Sequence, residues 1–155
     1  FTVHVPAAVR EIARDPAEVY VLNLPMSTST GALHSGVGQL LQGYHGKRMV
    51  TGYAAFDNPL YLRRIAESPL SFLDFPAALQ GGCDPRAVGQ ALEQLEIGYV
   101  IYEKRTQFYT PWFTLKQDGM LRGITLSTLT ALERQGRLDL LEEDDGYAIY
   151  RVVQD

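Results

Sequence analysis

Apolar residues recur along this chain with two periods, one helical and one extended, and the alternation between them predicts its elements. Val5, Val9, Ile12 and Ala13 form a helical stripe over Pro6 to Arg14, stopped by Asp15-Pro16. Val19 to Leu24 reads as a largely buried strand ended by Pro25. Val37, Leu40, Leu41 and Tyr44 sit at i, i+3, i+4 and i+7, an amphipathic helix with Ser35 as its cap and Gly46 at its end. Arg48 to Tyr53 follows as a second, shorter strand.

Asn58-Pro59 and Ser68-Pro69 each read as a cap followed by a first-turn proline. They open two short helices faced by Leu60, Ile65, Leu70, Phe72, Leu73 and Phe75, and Gly81-Gly82 breaks the run. Asp84-Pro85 opens a helix that turns Val88, Ala91, Leu92 and Leu95 inward, with Gly98 just beyond its end. Tyr99 to Tyr102 is the third strand. A looser stretch, Thr106 to Gly119, carries Phe108, Tyr109, Trp112 and Phe113. Leu126, Leu129 and Leu132 mark a last helix closed by Gly136. Leu138 to Glu142 and Tyr147 to Val153 form two strands, joined by a hairpin turn in which Gly146 supplies a positive φ.

The predicted order, α-β-α-β-α-α-α-β-α-β-β, is that of an α/β layered sandwich. Its sheet is mixed, with about five strands and the C-terminal antiparallel hairpin at one edge. No repeat, low-complexity tract or linker divides the chain, so residues 1–155 are expected to form one domain. At 155 residues this is an ordinary domain size. An N-terminal Phe1, with neither Met nor a signal sequence, points to a domain excised from a longer protein.

Composition narrows the function mainly by exclusion. The net charge of −4 argues against a nucleic-acid partner, which would need a basic surface. No apolar run reaches the roughly 18 residues that span a bilayer. Cys83 is the single cysteine, so neither an internal disulfide nor a thiolate zinc cluster can form, and it reads as a small packed or loop residue. Gly31 and Gly36 have the Walker spacing, but Val37 stands where a lysine is required. The dinucleotide glycine pattern, the nucleophile elbow and HExxH are absent. His4, His34 and His45 show no ligand spacing, so no metal, no cofactor and no catalytic residue is expected. The acidic run Glu142 to Asp145 reads as a solvated hairpin turn rather than a cation loop.

One stretch offers binding chemistry. Ligands of open α/β sheets usually sit beyond the carboxyl ends of strands. Ser27, Thr28 and Thr30 follow the first strand there and provide hydroxyls, while His45, Lys47 and Arg48 add cationic donors nearby in sequence. Tyr53 completes the candidate set of Ser27, Thr28, Thr30, His45, Lys47 and Tyr53. A plainer reading makes the Ser/Thr run a helix-capping turn, with Lys47 and Arg48 complementing the negative end of the preceding helix.

Leu22-Asn23-Leu24-Pro25, Tyr44-His45-Gly46-Lys47-Arg48, Gly52-Tyr53, Ile97-Gly98-Tyr99-Val100-Ile101 and Tyr147 to Val152 together resemble the C-terminal soluble region of bacterial polytopic membrane glycosyltransferase-like proteins. These are related to the dolichyl-phosphate-mannose protein mannosyltransferase and arabinosyltransferase superfamily. The chain departs from that pattern at Asn23, where the family usually has an acid, and at Arg48, where it often has proline. The resemblance implies a non-catalytic accessory domain on the extracytoplasmic face of the cell membrane, whose partners are its own membrane-embedded region and a glycan or polyprenyl-phosphate-linked sugar. The family's catalytic carboxylates lie between membrane helices, and none maps onto this sequence.

Two other functions fit the residues. A small α/β enzyme would use His45 as acid/base with Asp57 or Glu103. A structural or assembly module would use the aromatic segment Phe108 to Phe113.

Overall fold

A computed structural model describes residues 4–24, 35–50, 63–65, 67–73, 84–104 and 115–154. Its helices are α1 (Ala7–Arg14), α2 (Ser35–His45), α3 (Pro85–Gln94) and α4 (Leu115–Arg134), with a short 3-10 helix at Pro69–Leu73. The strands are β1 (Tyr20–Leu24), β2 (Arg48–Met49), β3 (Ile97–Glu103), β4 (Leu138–Glu143) and β5 (Tyr147–Val152). They make one five-stranded sheet in the order β2-β1-β3-β5-β4. β1 runs parallel to β2 and β3, whereas β5 is antiparallel to β3 and β4. The architecture is the expected mixed α/β sheet with the C-terminal hairpin at one edge.

Side chains alternate across the sheet, so each strand feeds two cores. Leu22, Leu24, Val100, Tyr102, Ala148 and Tyr150 face α3, α4 and the 3-10 helix, where they meet Leu92, Leu129 and Leu132. Val21, Tyr99, Ile101 and Ile149 face the other way, onto Val9 and Ile12 of α1 and Leu41 of α2. β3 lies between β1 and β5 and is buried from Ile97 to Tyr102, as its unbroken apolar run predicts.

Local signals account for most element ends. Asp84 caps α3 through its carboxylate, which accepts from the Arg86 amide at 3.0 Å. Gly46 (φ 68°) and Gly136 (φ 70°) end α2 and α4 in the left-handed region. Ser68 Oγ accepts from the Leu70 amide at 3.2 Å, but the element it opens is 3-10 rather than α. Helix α4 begins at Leu115, so it takes in the end of the segment expected to be looser.

Four expectations are corrected. In α2 the buried positions are Leu41 and His45, while Leu40 and Tyr44 are 39% and 52% exposed. Among the residues of α2 whose burial is described, the inner face thus keeps Leu41 from the apolar stripe and extends toward His45 instead of Leu40 and Tyr44. In α1, Ala8 replaces Ala13 on the inner face. Gly98 does not end α3; Glu96 takes the left-handed turn (φ 56°), and Gly98 already lies inside β3. Gly146 is not at positive φ. Instead, Asp144 Oδ1 builds the hairpin turn by accepting from the amides of Gly146 at 2.6 Å and Tyr147 at 2.7 Å.

The acidic turn also anchors the start of the chain. Pro6 occupies the N-cap of α1 and has no side chain able to accept a hydrogen bond. Glu142 Oε2 accepts from the Ala8 amide at 2.7 Å instead, across 134 residues of sequence. His4 Nε2 lies 3.2 Å from Asp144 Oδ2, and Lys104 Nζ meets Glu143 at 2.6 Å. Burial alone would push the Asp144 carboxyl up, but the amides of Gly146 and Tyr147, with His4, hold it below its ordinary value. His4, Glu142 and Asp144 come within 4.8 Å of one another, yet both carboxylates already serve as backbone acceptors. The run is thus a hairpin that ties down α1. The first short-helix signal, at Asn58-Pro59, the Gly81-Gly82 break, Cys83 and the aromatic segment Phe108 to Phe113 lie outside the described residues.

Candidate functional site

A cleft of about 600 Å³ opens between the end of α1, the segment leading into β1, the start of β3 and the end of β5. Glu11, Arg14, Asp15, Ala17 and Val19 line one side, with Gly98, Tyr99, Arg151, Val152 and Gln154 opposite. The topology explains the convergence. β1 and β3 are parallel, so Val19 and Gly98 enter the sheet at the same end. β5 is antiparallel to β3, which places Arg151, near its end, in register with Tyr99 near the start of β3. Alternation then points Tyr99 and Arg151 to the α1 side of the sheet.

Gly98 is required at the floor of this cleft. A Cβ there would lie 2.5 Å from Val19 Cγ2 and 2.7 Å from Val19 Cβ. Any other residue would force the approach to β1 away from β3. Deleting the side chain lets the two backbones meet at their entry to the sheet.

The polar centre of the cleft is a pair. The Tyr99 hydroxyl donates to Asp15 Oδ2 at 2.6 Å, and the Ala17 amide donates to Asp15 Oδ1 at 2.9 Å. These two bonds, the Tyr99 one first, hold the Asp15 carboxyl below its ordinary value, and Lys47 and Arg151 reinforce them. Burial raises the Tyr99 phenol, as does its bond to Asp15, against the opposing pull of the Arg151 guanidinium. Asp15 therefore stays ionised and Tyr99 stays protonated at neutral pH. Neither is poised to exchange a proton there, which would need a pKa near the working pH.

Lys47 and His45 stand behind this rim. Lys47 Nζ donates to the Asp15 carbonyl at 2.6 Å and also to the Ala17 carbonyl. It thus complements the segment after α1 and not the end of α2. His45 is 3% exposed, and its Nδ1 accepts from the Lys47 amide at 3.0 Å. Its Nε2 is buried without a partner among the described residues. Burial, helped by the neighbouring Lys47 charge, lowers the imidazole pKa to about 4. His45 is thus neutral and an acceptor at neutral pH, not the cationic donor that its sequence neighbours suggested.

His45 and Lys47 lie before β2, at the amino end of the parallel strands, whereas β1 ends at Leu24, at their carboxyl end. Parallel strands impose this separation, because the crossover must return the chain to the starting edge before it pairs again. Ser27, Thr28, Thr30 and Tyr53 lie outside the described residues, as does Asp57. Glu103, at the far end of β3, pairs in register with Tyr147, and no carboxylate makes an ion pair with His45 among the described residues. Asn23, at the position where the resembled family carries an acid, donates through Nδ2 to Met49 Sδ at 3.0 Å.

The residues that the sequence reading passed over are Arg14, Asp15, Tyr99 and Arg151. Asp15 looked like a helix stop and Tyr99 like a core strand residue. Only the antiparallel register of β3 and β5, together with the docking of α1, brings them to one place.

No protein-family profile matches the chain. No curated protein matches it either. Among solved structures, it is similar to the crystal structure of the C-terminal globular domain of an oligosaccharyltransferase from Archaeoglobus fulgidus, with a TM-score of 0.52 and 12% identity. The superposition covers 97% of this chain and 100% of the archaeal domain. Among the described residues no helix is long and apolar enough to cross a membrane. At that identity the likeness to the archaeal domain shows the fold alone.

Proposed function

We propose that this chain is a non-catalytic accessory domain of a membrane-embedded glycosyltransferase-like protein, placed on the extracytoplasmic face, where it helps to hold an acceptor or a polyprenyl-phosphate-linked sugar. The observation that carries this reading is the end-to-end fold correspondence with a domain of an oligosaccharyltransferase, over 97% of one chain and 100% of the other. The sequence resemblance to membrane glycosyltransferase-like proteins points the same way by an independent route. The electrostatics of the cleft support binding over bond-making, since Asp15 is shifted down and Tyr99 up, each away from neutrality.

Ser27, Thr28, Thr30, His45, Lys47 and Tyr53 remain the proposed binding set, in which Lys47 acts by clamping segment 15–17 and the buried His45 by accepting from the Lys47 amide. The test is an amide NMR titration of this domain with glycan fragments and with a short polyprenyl phosphate. Saturable shifts at residues 27–30, 45–47 and 53, or along the cleft, are expected. A spectrum unmoved by every one of these compounds would remove the binding role. The coding sequence upstream of Phe1 tests the setting: several apolar segments of about 20 residues are expected, and a cytosolic domain there would overturn it.

A further inference from the structure

We propose that the cleft between α1, β3 and β5 is a binding site for an anionic saccharide, a sugar bearing a carboxylate or a phosphate, with the guanidinium groups of Arg14 and Arg151 holding the anion. Both arginines line the cleft. Both side chains are exposed, and neither makes an ion pair among the described residues. Asp15, which also lines the cleft, has one oxygen taken by the Ala17 amide and the other by the Tyr99 hydroxyl, and Asp139, in register with Arg151 across the β4–β5 pair, makes no ion pair with it among the described residues. The Asp15 charge is thus already compensated by local donors; Arg151 leans on the Tyr99 hydroxyl, and the other donors of its fork are left for a ligand. A guanidinium presents a planar set of donors that matches a carboxylate or phosphate edge, so an oxyanion is the ligand group these two side chains fit best.

The remaining lining suits hydroxyl groups. Glu11 is exposed on the α1 wall and offers an acceptor, while Gln154 opposite offers both a donor and an acceptor. Val19 closes the floor against Gly98. A volume of about 600 Å³ accommodates one or two sugar rings. The rim is stiffened from behind, because Lys47 clamps the carbonyls of Asp15 and Ala17 and so fixes the turn that follows Arg14. The saccharide half of this inference rests on the function proposed above, whereas the anion half rests on the cleft alone.

The experiment titrates the domain, followed by amide NMR, with glucuronate, glucose 1-phosphate, inorganic phosphate and glucose. Saturable shifts at Arg14, Asp15, Gly98, Tyr99 and Arg151 are expected with both sugar anions, and weaker shifts with phosphate or glucose alone. Arg14→Gln and Arg151→Gln should each weaken glucuronate binding about tenfold or more, with the amide spectrum otherwise retained. Raising the salt concentration should weaken it further. If phosphate shifts the cleft as strongly as either sugar anion does, the saccharide half fails and the anion site stands. If glycans shift residues elsewhere while none of the four ligands moves the cleft, this inference fails and the proposed function stands. Glucose binding as tightly as glucuronate, or tight binding retained in the double variant, would also overturn it.

Discussion

Gly98 of β3 and Val19 before β1 touch so closely that a single methyl group could not be placed between them: a Cβ on Gly98 would stand 2.5 Å from Val19 Cγ2. Replacing Gly98 with Ala should therefore cost about 1–3 kcal/mol, the usual range for overpacking a close contact. Val19→Ala makes room, so the double variant should recover part of that loss. Urea unfolding of the four members of this cycle reads the coupling directly. Additive losses would show that Gly98 matters for another reason.

His45 makes stability depend on pH. Its pKa falls from 6.5 to about 4 in the folded chain, so the unfolded chain takes up the proton first as pH drops. Folding stability should be complete above about pH 6.5, decline between pH 6.5 and 4, and level off below that as far as this group is concerned. The gap corresponds to about 3 kcal/mol. His45→Asn keeps an acceptor near the Lys47 amide without a titrating ring. Chemical denaturation across that pH window should show the slope flattened in the variant.

The Tyr99–Asp15 bond at 2.6 Å should be visible from both ends. Tyr99→Phe removes the largest cause of the Asp15 shift, so the Asp15 carboxyl should titrate closer to its ordinary value. Asp15→Asn should lower the phenol pKa of Tyr99, though burial will still keep it raised. Because Asp15 is shifted down, its contribution to stability is present above its ordinary pKa and disappears as pH falls through the folded value. Carbon-detected NMR titration of the side chains measures each shift. Tyr99→Phe should also destabilise the fold by about 1 kcal/mol.

Glu142 performs for α1 the capping that Pro6 cannot, through its 2.7 Å bond to the Ala8 amide. Glu142→Ala should cost about 1 kcal/mol and raise hydrogen exchange in the first turn of α1. Glu142→Gln keeps the acceptor and loses the charge, so it should cost less. Equal exchange in all three proteins would mean that the bond is idle.

The element order could be read from the chain because each element carries its own local signal. Asp84-Pro85 starts α3 by offering an acceptor and a pre-set φ, and the run Ile97 to Tyr102 is apolar on both faces because helices cover both sides of β3. Gly46 and Gly136 mark helix ends through a backbone preference that needs no partner. Local reading failed where another group took the role expected of a residue. The turn before β5 is built by the Asp144 side chain rather than by glycine. In α2 the surface it packs on buries Leu41 of the apolar stripe together with His45, and leaves Leu40 and Tyr44 outside.

By itself, then, the sequence determined the class of fold, the edge position of the last hairpin and the lack of a familiar catalytic motif, since all three depend on periodicity and short-range chemistry. The tertiary structure alone decided where polar groups meet. Arg14, Asp15, Tyr99 and Arg151 come from three elements, and they converge because a parallel pair brings two strand starts together while an antiparallel partner returns its end to the same edge. Strand direction and register set that geometry, and neither is encoded by spacing along the chain.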